Sequence, residues 1–272
     1  MTEKLDTTTP DLLASLDEGV LTLTLNRPEA RNAMSEGMNH ALARQLGWAE
    51  LEPSVKCVVL TGAGKGFCAG GDVKGMAERG DSTAVTADEA IHRQRVNQRE
   101  TSGRLFKMPK PTLASLPGAA AGAGLGWALA CDLRIMARSA FLTTAFARVG
   151  FSGDYGGTYF LTQLVGSAKA RELYYLSERV SAEEALRLGL TNWVCEPEEL
   201  AARTQEIARR LAEGPTVAYR YMKENLNRAM GGEVEDCLDL EATHHIHCVA
   251  TEDYREAVRA FVEKREPVFK GR

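Results

Sequence analysis

The segment "KCVVLTG" (56–62) limits the possible folds more than any other part of the chain. Its centre is a continuous apolar run with no polar alternation. A strand of that type is covered on both faces and belongs to a parallel sheet with helices packed against it. The next stretch is unusual: "GFCAGGDV" (66–73) strips the backbone of side chains just past the strand end, with Gly66, Gly70 and Gly71 leading to one acid, Asp72. Further strands are expected at "TLASL" (112–116), with Pro117-Gly118 as its turn, and at "LRIMA" (133–137).

The remaining patterns fit an α/β chain. "DLLASLDEGVLTLTL" reads as a hairpin turning at Asp17-Glu18-Gly19, and Pro28 ends it. Ser35 is placed to cap a helix running to about Leu51, with Met38, Leu42, Leu46 and Ala49 on one face. A polar helical stretch from Ala87 to Phe106 stops at Pro109 and Pro111. "AAAGAGLGWALACD" (119–132), small and apolar, reads as a tightly packed buried helix. "NWVCE" reads as one short strand. Ser181 caps a helix that Gly189 stops, and "EELAARTQEIARRLAEG" is an amphipathic helix ending at Gly214. Strand–helix alternation thus fills about 1–195, and a helical tail follows.

The chain has 272 residues, 44% of them hydrophobic and 26% charged, which supports a sizeable core. Its net charge of −4 argues against a nucleic-acid partner. No apolar run reaches the roughly 20 residues of a membrane span, and the first ten residues lack the apolar stretch of a signal peptide. The six cysteines form no C-x-x-C pair, so reduced, mostly buried thiols and a cytoplasmic location are expected.

Two glycine runs invite a nucleotide reading, and neither fits one. "GAGKG" (62–66) lacks the Ser or Thr that follows the P-loop lysine, and "GAGLG" (122–126) has the wrong spacing for a dinucleotide fingerprint. Glycine also lets a backbone N–H approach a ligand, and a helix start aims N–H groups at negative charge. Gly70-Gly71 and Gly122-Ala123-Gly124 would form a two-donor oxyanion hole if they faced each other; the alternative is two tight packing turns. Asp154, between Gly153 and Tyr155, either caps the next helix or is a general base at a cavity edge. "THHIHC" (243–248) places His244, His247 and Cys248 on one helix face, where they either bind a metal or lie on an ordinary surface helix.

These pieces occur in one order in a known family. The chain resembles the enoyl-CoA hydratase/isomerase, or crotonase, superfamily through "LTLNRPEARNAM" (23–34), "GFCAGGDVKGM" (66–76), "PGAAAGAGLGWALACDLRIMA" (117–137), "GGTYFLTQLVG" (156–166), "SAEEALRLGL" (181–190) and "FVEKREPVFKG" (261–271). The resemblance implies a spiral core of repeated ββα units over 1–200 that binds acyl-CoA and carries out catalysis. It also implies a helical oligomerisation region over 201–272, and a homotrimer or dimer of trimers. It makes the N–H groups of Gly71 and Ala123 the oxyanion donors for a thioester. Arg31, Ala33, Ala69, Asp72 and Lys74 fall in segments that bind CoA. Phe261 and Lys264 match a terminal helix that reaches CoA on a neighbouring subunit. CoA arrives as part of the substrate, so no metal or separate cofactor is implied.

The departures from the family pattern direct the reading of the chemistry. The two glutamates of the hydratases fall on Gly126 and Phe146, so neither carboxylate is present. Asp154 instead matches the carboxylate of the isomerase branch, and its surroundings are most similar to the ring-opening isomerases of phenylacetyl-CoA degradation. The implied chemistry is an enolate held by Gly71 and Ala123, with Asp154 moving a proton along the acyl chain. A helix start beside Asp154 would favour its charged form at neutral pH. A hydratase with a relocated acid, a non-catalytic acyl-CoA binder, and a hydrolase or decarboxylase are the alternatives. Trp127, Phe141, Phe146 and Tyr155 fit either a bulky acyl pocket or an ordinary core.

Overall fold

The hairpin forms where its turn residues place it. In the computed structural model, which describes residues 2–72, 75 and 85–272, β1 (Glu3–Leu5) pairs with β2 (Leu12–Asp17), and β2 pairs antiparallel with β3 (Val20–Leu25). Glu18 and Gly19 both take positive φ, 48° and 81°, and close the turn. The edge strand β1 was not expected from sequence, because three residues are too few to show a period. Ser35 Oγ accepts from the Met38 N–H at 3.0 Å and starts α1 (Glu36–Leu51), whose Met38, Leu42, Leu46 and Ala49 are buried as the spacing predicts.

The apolar run is β4 (Cys57–Gly62), parallel to β3. β5 (Gly66–Cys68) follows it and turns away into a second, smaller sheet. α2 (Ala87–Gln98) passes through a π-helical turn at Arg99–Gly103 into α3 (Arg104–Lys107). β6 (Thr112–Leu116) is buried along its whole length and leads to β7 (Ala119–Ala121) and α4 (Ala123–Ala130). β8 (Leu133–Ala137), β9 (Phe141–Thr143) and α5 (Gly157–Leu176) repeat that path. β10 (Val180–Ser181), α6 (Ala182–Arg187) and β11 (Trp193–Cys195) complete the sheets.

The large sheet runs β1-β2-β3-β4-β6-β8-β11, and the small one β10-β9-β7-β5. From β3 to β11 the large sheet is parallel. Each turn of the chain lays one strand in each sheet and then a helix, which is the ββα repeat that the resemblance implies. One expectation is corrected here. Residues 119–132 do not form a single helix, because Ala119–Ala121 pair with β5 and β9 before Gly122, at φ 51° and ψ −124°, starts α4. Alanine tolerates either backbone state, so the flanking strands decide.

α7 (Leu200–Ala212) lies on the large sheet, where Thr204 Oγ1 meets Ser115 Oγ at 2.8 Å. α8 (Thr216–Ala229), α9 (Val234–Val249) and α10 (Glu252–Glu263) form the tail. Lys223 ties that tail to the core. Its Nζ is buried and donates to Asp132 Oδ2 at 2.9 Å and to the Leu105 carbonyl at 3.0 Å. Among the described residues, no helix is long and apolar enough to cross a membrane. All six cysteines are free, and Cys57, Cys68, Cys131 and Cys195 are buried.

Candidate active site

The first glycine turn leaves the end of β5 in an order set by backbone bonds. The Ala69 N–H donates to the Arg31 carbonyl at 3.0 Å, and the Met34 N–H to the Gly70 carbonyl at 2.8 Å. Gly70 has φ 88°, a conformation that L side chains rarely adopt. A Cβ there would lie 2.8 Å from the Ala121 carbonyl oxygen and 3.3 Å from the Ala123 nitrogen. Only glycine lets the two turns approach this closely, so they do face each other.

Ala123 is the first residue of α4, so its N–H has no acceptor within the helix. The helix start is pressed onto β5: a Cβ on Gly124 would lie 2.6 Å from the Cys68 carbonyl oxygen and 2.7 Å from its Sγ. Burial pushes the Cys68 thiol up to about 12, so it stays neutral.

Asp154 reaches the same place from the loop before α5. Gly153, Tyr155 and Gly156 all have positive φ, 116°, 47° and 74°, and this path turns residue 154 inward. Gly71, Ala123 and Asp154 line one cleft of about 880 Å³. The Asp154 side chain does not cap α5, whose cap position is Gly156; only the Asp154 carbonyl is used, accepting from the Gly157 N–H at 3.0 Å. Its Oδ1 is closed off from solvent and has no hydrogen-bond partner among the described residues. Burial therefore pushes this carboxyl up to about 6, the opposite direction from the helix-dipole expectation. The same burial, with Asp154 nearby, raises the Tyr155 and Tyr174 hydroxyls.

Both hydratase acid positions are filled by other groups. A Cβ on Gly126 would meet the Tyr155 Cβ and carbonyl oxygen at 3.0 Å each. Tyr155 is buried, edge-on to Trp127 at 5.7 Å. Phe146 is buried and stacks on Tyr174 at 5.8 Å. Of the aromatic residues singled out in the sequence, only Tyr155 lines the Asp154 cleft; Trp127 is core, and Phe141 lines a second cleft.

The expected CoA residues separate. Arg31 and Ala69 line the second cleft, of about 460 Å³. Ala33 is buried, and its carbonyl accepts from Arg27 Nη1 at 2.8 Å. Asp72 lines the first cleft, but its carboxylate is engaged with Arg27 at 3.3 Å and with the Gly75 N–H at 2.9 Å. Lys74 lies outside the described residues. Phe261 and Lys264 line neither cleft of their own chain, and Phe261 is 85% exposed. His244 is taken by Asn225 Oδ1 at 2.5 Å and Glu224 Oε2 at 3.3 Å, and it stacks on Tyr221. Sequence reasoning missed Tyr155 as the residue that occupies the first acid position, because only the folded loop brings residues 126 and 155 together.

Two backbone N–H groups beside one half-buried carboxyl are the elements that removal of a proton next to a carbonyl requires, since that step puts charge on the carbonyl oxygen. Comparison with known proteins places the chain in a family. The sequence profile of the enoyl-CoA hydratase/isomerase family matches residues 15–272. The 1,2-epoxyphenylacetyl-CoA isomerase of Escherichia coli K12 is 39% identical over 261 residues, covering 96% of this chain and 98% of that one. The trans-2-decenoyl-[acyl-carrier-protein] isomerase of Streptococcus mutans is 33% identical, covering 96% and 98%. The crystal structure of an enoyl-CoA hydratase from Polaromonas sp. JS666 superimposes with a TM-score of 0.88 at 32% identity, covering 95% and 99%. With profile, relatives and fold in agreement over almost its whole length, this chain belongs to the enoyl-CoA hydratase/isomerase family of enzymes.

Proposed function

We propose that the protein is an acyl-CoA isomerase in which Asp154 is the base. The observation that carries this reading is the half-buried Asp154 carboxyl, its Oδ1 shut off from solvent and without a hydrogen-bond partner among the described residues, sharing a cleft with the Gly71 and Ala123 backbone N–H groups. The Asp154 carboxylate removes a proton from the acyl chain. The C–H electron pair moves into the thioester, and its oxygen takes the charge against the two N–H groups. The protonated Asp154 then returns the proton to a different carbon, so a double bond shifts with no net gain or loss of atoms. Ring opening of an epoxide conjugated to the thioester uses the same two elements. One oxyanion donor is worth about 3–4 kcal/mol of barrier. CoA serves as part of the substrate, and the buried free thiols fit a cytoplasmic enzyme.

A carboxyl pushed up to about 6 is still largely ionised at pH 7.5, so it can act as a base there. Hydration is the second reading, since relatives named as hydratases are common. It needs a pair of acids around one water, and Tyr155 and Phe146 occupy the places those acids would take. The test is a panel of CoA thioesters assayed for both reactions. Isomerisation of a 3-enoyl-CoA or of 1,2-epoxyphenylacetyl-CoA, with deuterium taken up from D₂O, supports the proposal. Crotonyl-CoA hydration near a typical turnover of about 10 per second, with no isomerisation, refutes it.

A further inference from the structure

A pair of stacked rings joins the two halves of the site from behind. Ala145, at φ 59°, turns Phe146 inward, and the Phe146 side chain is buried. One edge of its ring borders the turn that carries the Ala123 donor: a Cβ on Gly122 would lie 3.8 Å from Phe146 Cε1 and Cζ. The same ring stacks on Tyr174, with the two planes 10° apart. Tyr174 belongs to the last turn of α5. That helix breaks at Gly166, at φ 74° and ψ 164°, and its end comes back against its own start. A Cβ on Gly153 would lie 3.1 Å from Tyr174 Cε1, and one on Gly157 would lie 2.7 Å from the Tyr174 hydroxyl oxygen. The tyrosine therefore presses on the chain at both sides of Asp154.

Backbone bonds hold both rings in register. The Gly122 N–H donates to the Thr143 carbonyl at 3.1 Å, which ties the segment before Phe146 to the donor turn. Thr144 Oγ1 donates to the Leu173 carbonyl at 2.8 Å, which ties the same segment to the residue before Tyr174. The Phe151 N–H donates to the Phe146 carbonyl at 3.0 Å, and the chain runs on from there to Asp154. Packed rings have a fixed width, and the elements on either side cannot approach further while both are present. We infer that the Phe146–Tyr174 stack sets the separation between the Ala123 donor and the Asp154 carboxyl, and that both aromatics are positioning residues for the base. The catalytic half of this inference rests on the isomerase reading; the pose of the carboxyl does not.

The test reads the carboxyl directly and needs no turnover. The full-length protein, labelled with ¹³C at the aspartate Cγ atoms, is titrated by NMR; the Asp154 resonance is the one that Asp154→Asn lacks. In wild type it should titrate at about 6. Phe146→Leu and Tyr174→Leu keep apolar bulk but lose the stack. The loop should then relax, water should reach the carboxyl, and the titration should move below about 5, toward the ordinary 3.8. Tyr174→Phe keeps the ring and should titrate as wild type does. Leu46→Ala loosens the core at a buried position of α1 that lines neither cleft, and should leave the resonance in place. Burial keeps Cys68, Tyr155 and Tyr174 neutral through this range. Arg27, Glu36, His40, Asp72, His92 and Arg93 around the cleft are the same in every variant, so a moved titration reports a moved carboxyl. With phenylacetyl-CoA in D₂O, both leucine variants should exchange the α-proton about 10²-fold more slowly at saturation with KM within about twofold, and Tyr174→Phe should keep the wild-type rate. Tyr174 is only half-buried, so its leucine variant should fold even if that of Phe146 does not. The inference is overturned if a folded leucine variant titrates as wild type does, if Tyr174→Phe moves the titration as far as Tyr174→Leu, if Leu46→Ala moves it equally, or if wild-type Asp154 titrates near 3.8. A wild type that neither exchanges nor isomerises any thioester would sink the catalytic reading and leave the titration standing.

Discussion

Replacing Asp154 with asparagine should abolish turnover and make the protein more stable. The carboxyl is pushed from an ordinary 3.8 up to about 6 by burial, and its Oδ1 has no hydrogen-bond partner among the described residues. An acid whose pKa is raised on folding binds its proton more tightly in the native state. Between pH 3.8 and about 6 the native protein therefore holds more protons than the unfolded chain, and stability falls as pH rises through that window. Above pH 6 the whole penalty is present. A rise of about 2 in pKa corresponds to roughly 3 kcal/mol. Part of the side chain faces the open cleft, and solvent screening there reduces the figure to about 1–2 kcal/mol. Asparagine has nearly the same shape and no charge, so Asp154→Asn should gain about that much at pH 7.5 and almost nothing at pH 4. Urea denaturation at both pH values measures the difference. Loss of a general base typically costs 10²–10⁴-fold in rate, and wild-type kcat/KM should fall as pH drops below about 6. If Asp154→Asn is less stable than wild type at pH 7.5, the carboxylate is held by compensating contacts and the burial argument is wrong. If it keeps more than about a tenth of wild-type turnover, the base lies elsewhere.

Gly70→Ala should lower kcat about 10²-fold or more by shifting the first oxyanion donor, because the added methyl would sit 2.8 Å from the Ala121 carbonyl oxygen at φ 88°; steady-state kinetics would show it, and an unchanged kcat would mean that the Gly71 N–H does not act. Lys223→Met removes the buried partner of Asp132 and should destabilise the fold by about 2–4 kcal/mol in urea, with Asp132→Asn recovering part of the loss in the double variant; strictly additive effects would show that the pair is not coupled. We also expect a trimer or a dimer of trimers, because Tyr254, Val258, Phe261 and Val262 on α10 are left exposed. A monomer at micromolar concentration in light scattering would exclude it.

The large sheet was legible where burial leaves a local imprint. "CVVL" has no polar alternation because both faces of β4 are covered, and Ser35 sits just ahead of the periodic face it caps. The small sheet left no such imprint: its strands span only Gly66–Cys68, Ala119–Ala121, Phe141–Thr143 and Val180–Ser181, too short for an alternating pattern to emerge. The oxyanion turns could be proposed from glycines alone, but the choice between packing turn and donor depended on the approach of Gly70 to Ala123. Asp154, read from residue types alone, looked more like a cap than a base. What separates the two roles is the run of positive φ through Gly153, Tyr155 and Gly156, which residue types alone do not disclose. The second cleft gathers Arg31, Lys65, Arg148 and Arg179 from separate segments, so no sequence window contains it.

Tyr155 and Gly126 share one volume, and this bears on how such a site could change over generations. A side chain at 126 would meet the Tyr155 backbone and Cβ at 3.0 Å, so an acid enters there only if the loop gives by a few tenths of an ångström from its present path. That path is also what turns Asp154 inward. A glutamate at position 126 and an aspartate turned inward at 154 therefore draw on the same loop, and exchanging one for the other shifts the loop and the helix residue together. A side chain at 126 alone is crowded against Tyr155. Each single change is thus opposed by the packing of the other, and drift at one position would tend to keep a chain with the acid it already has.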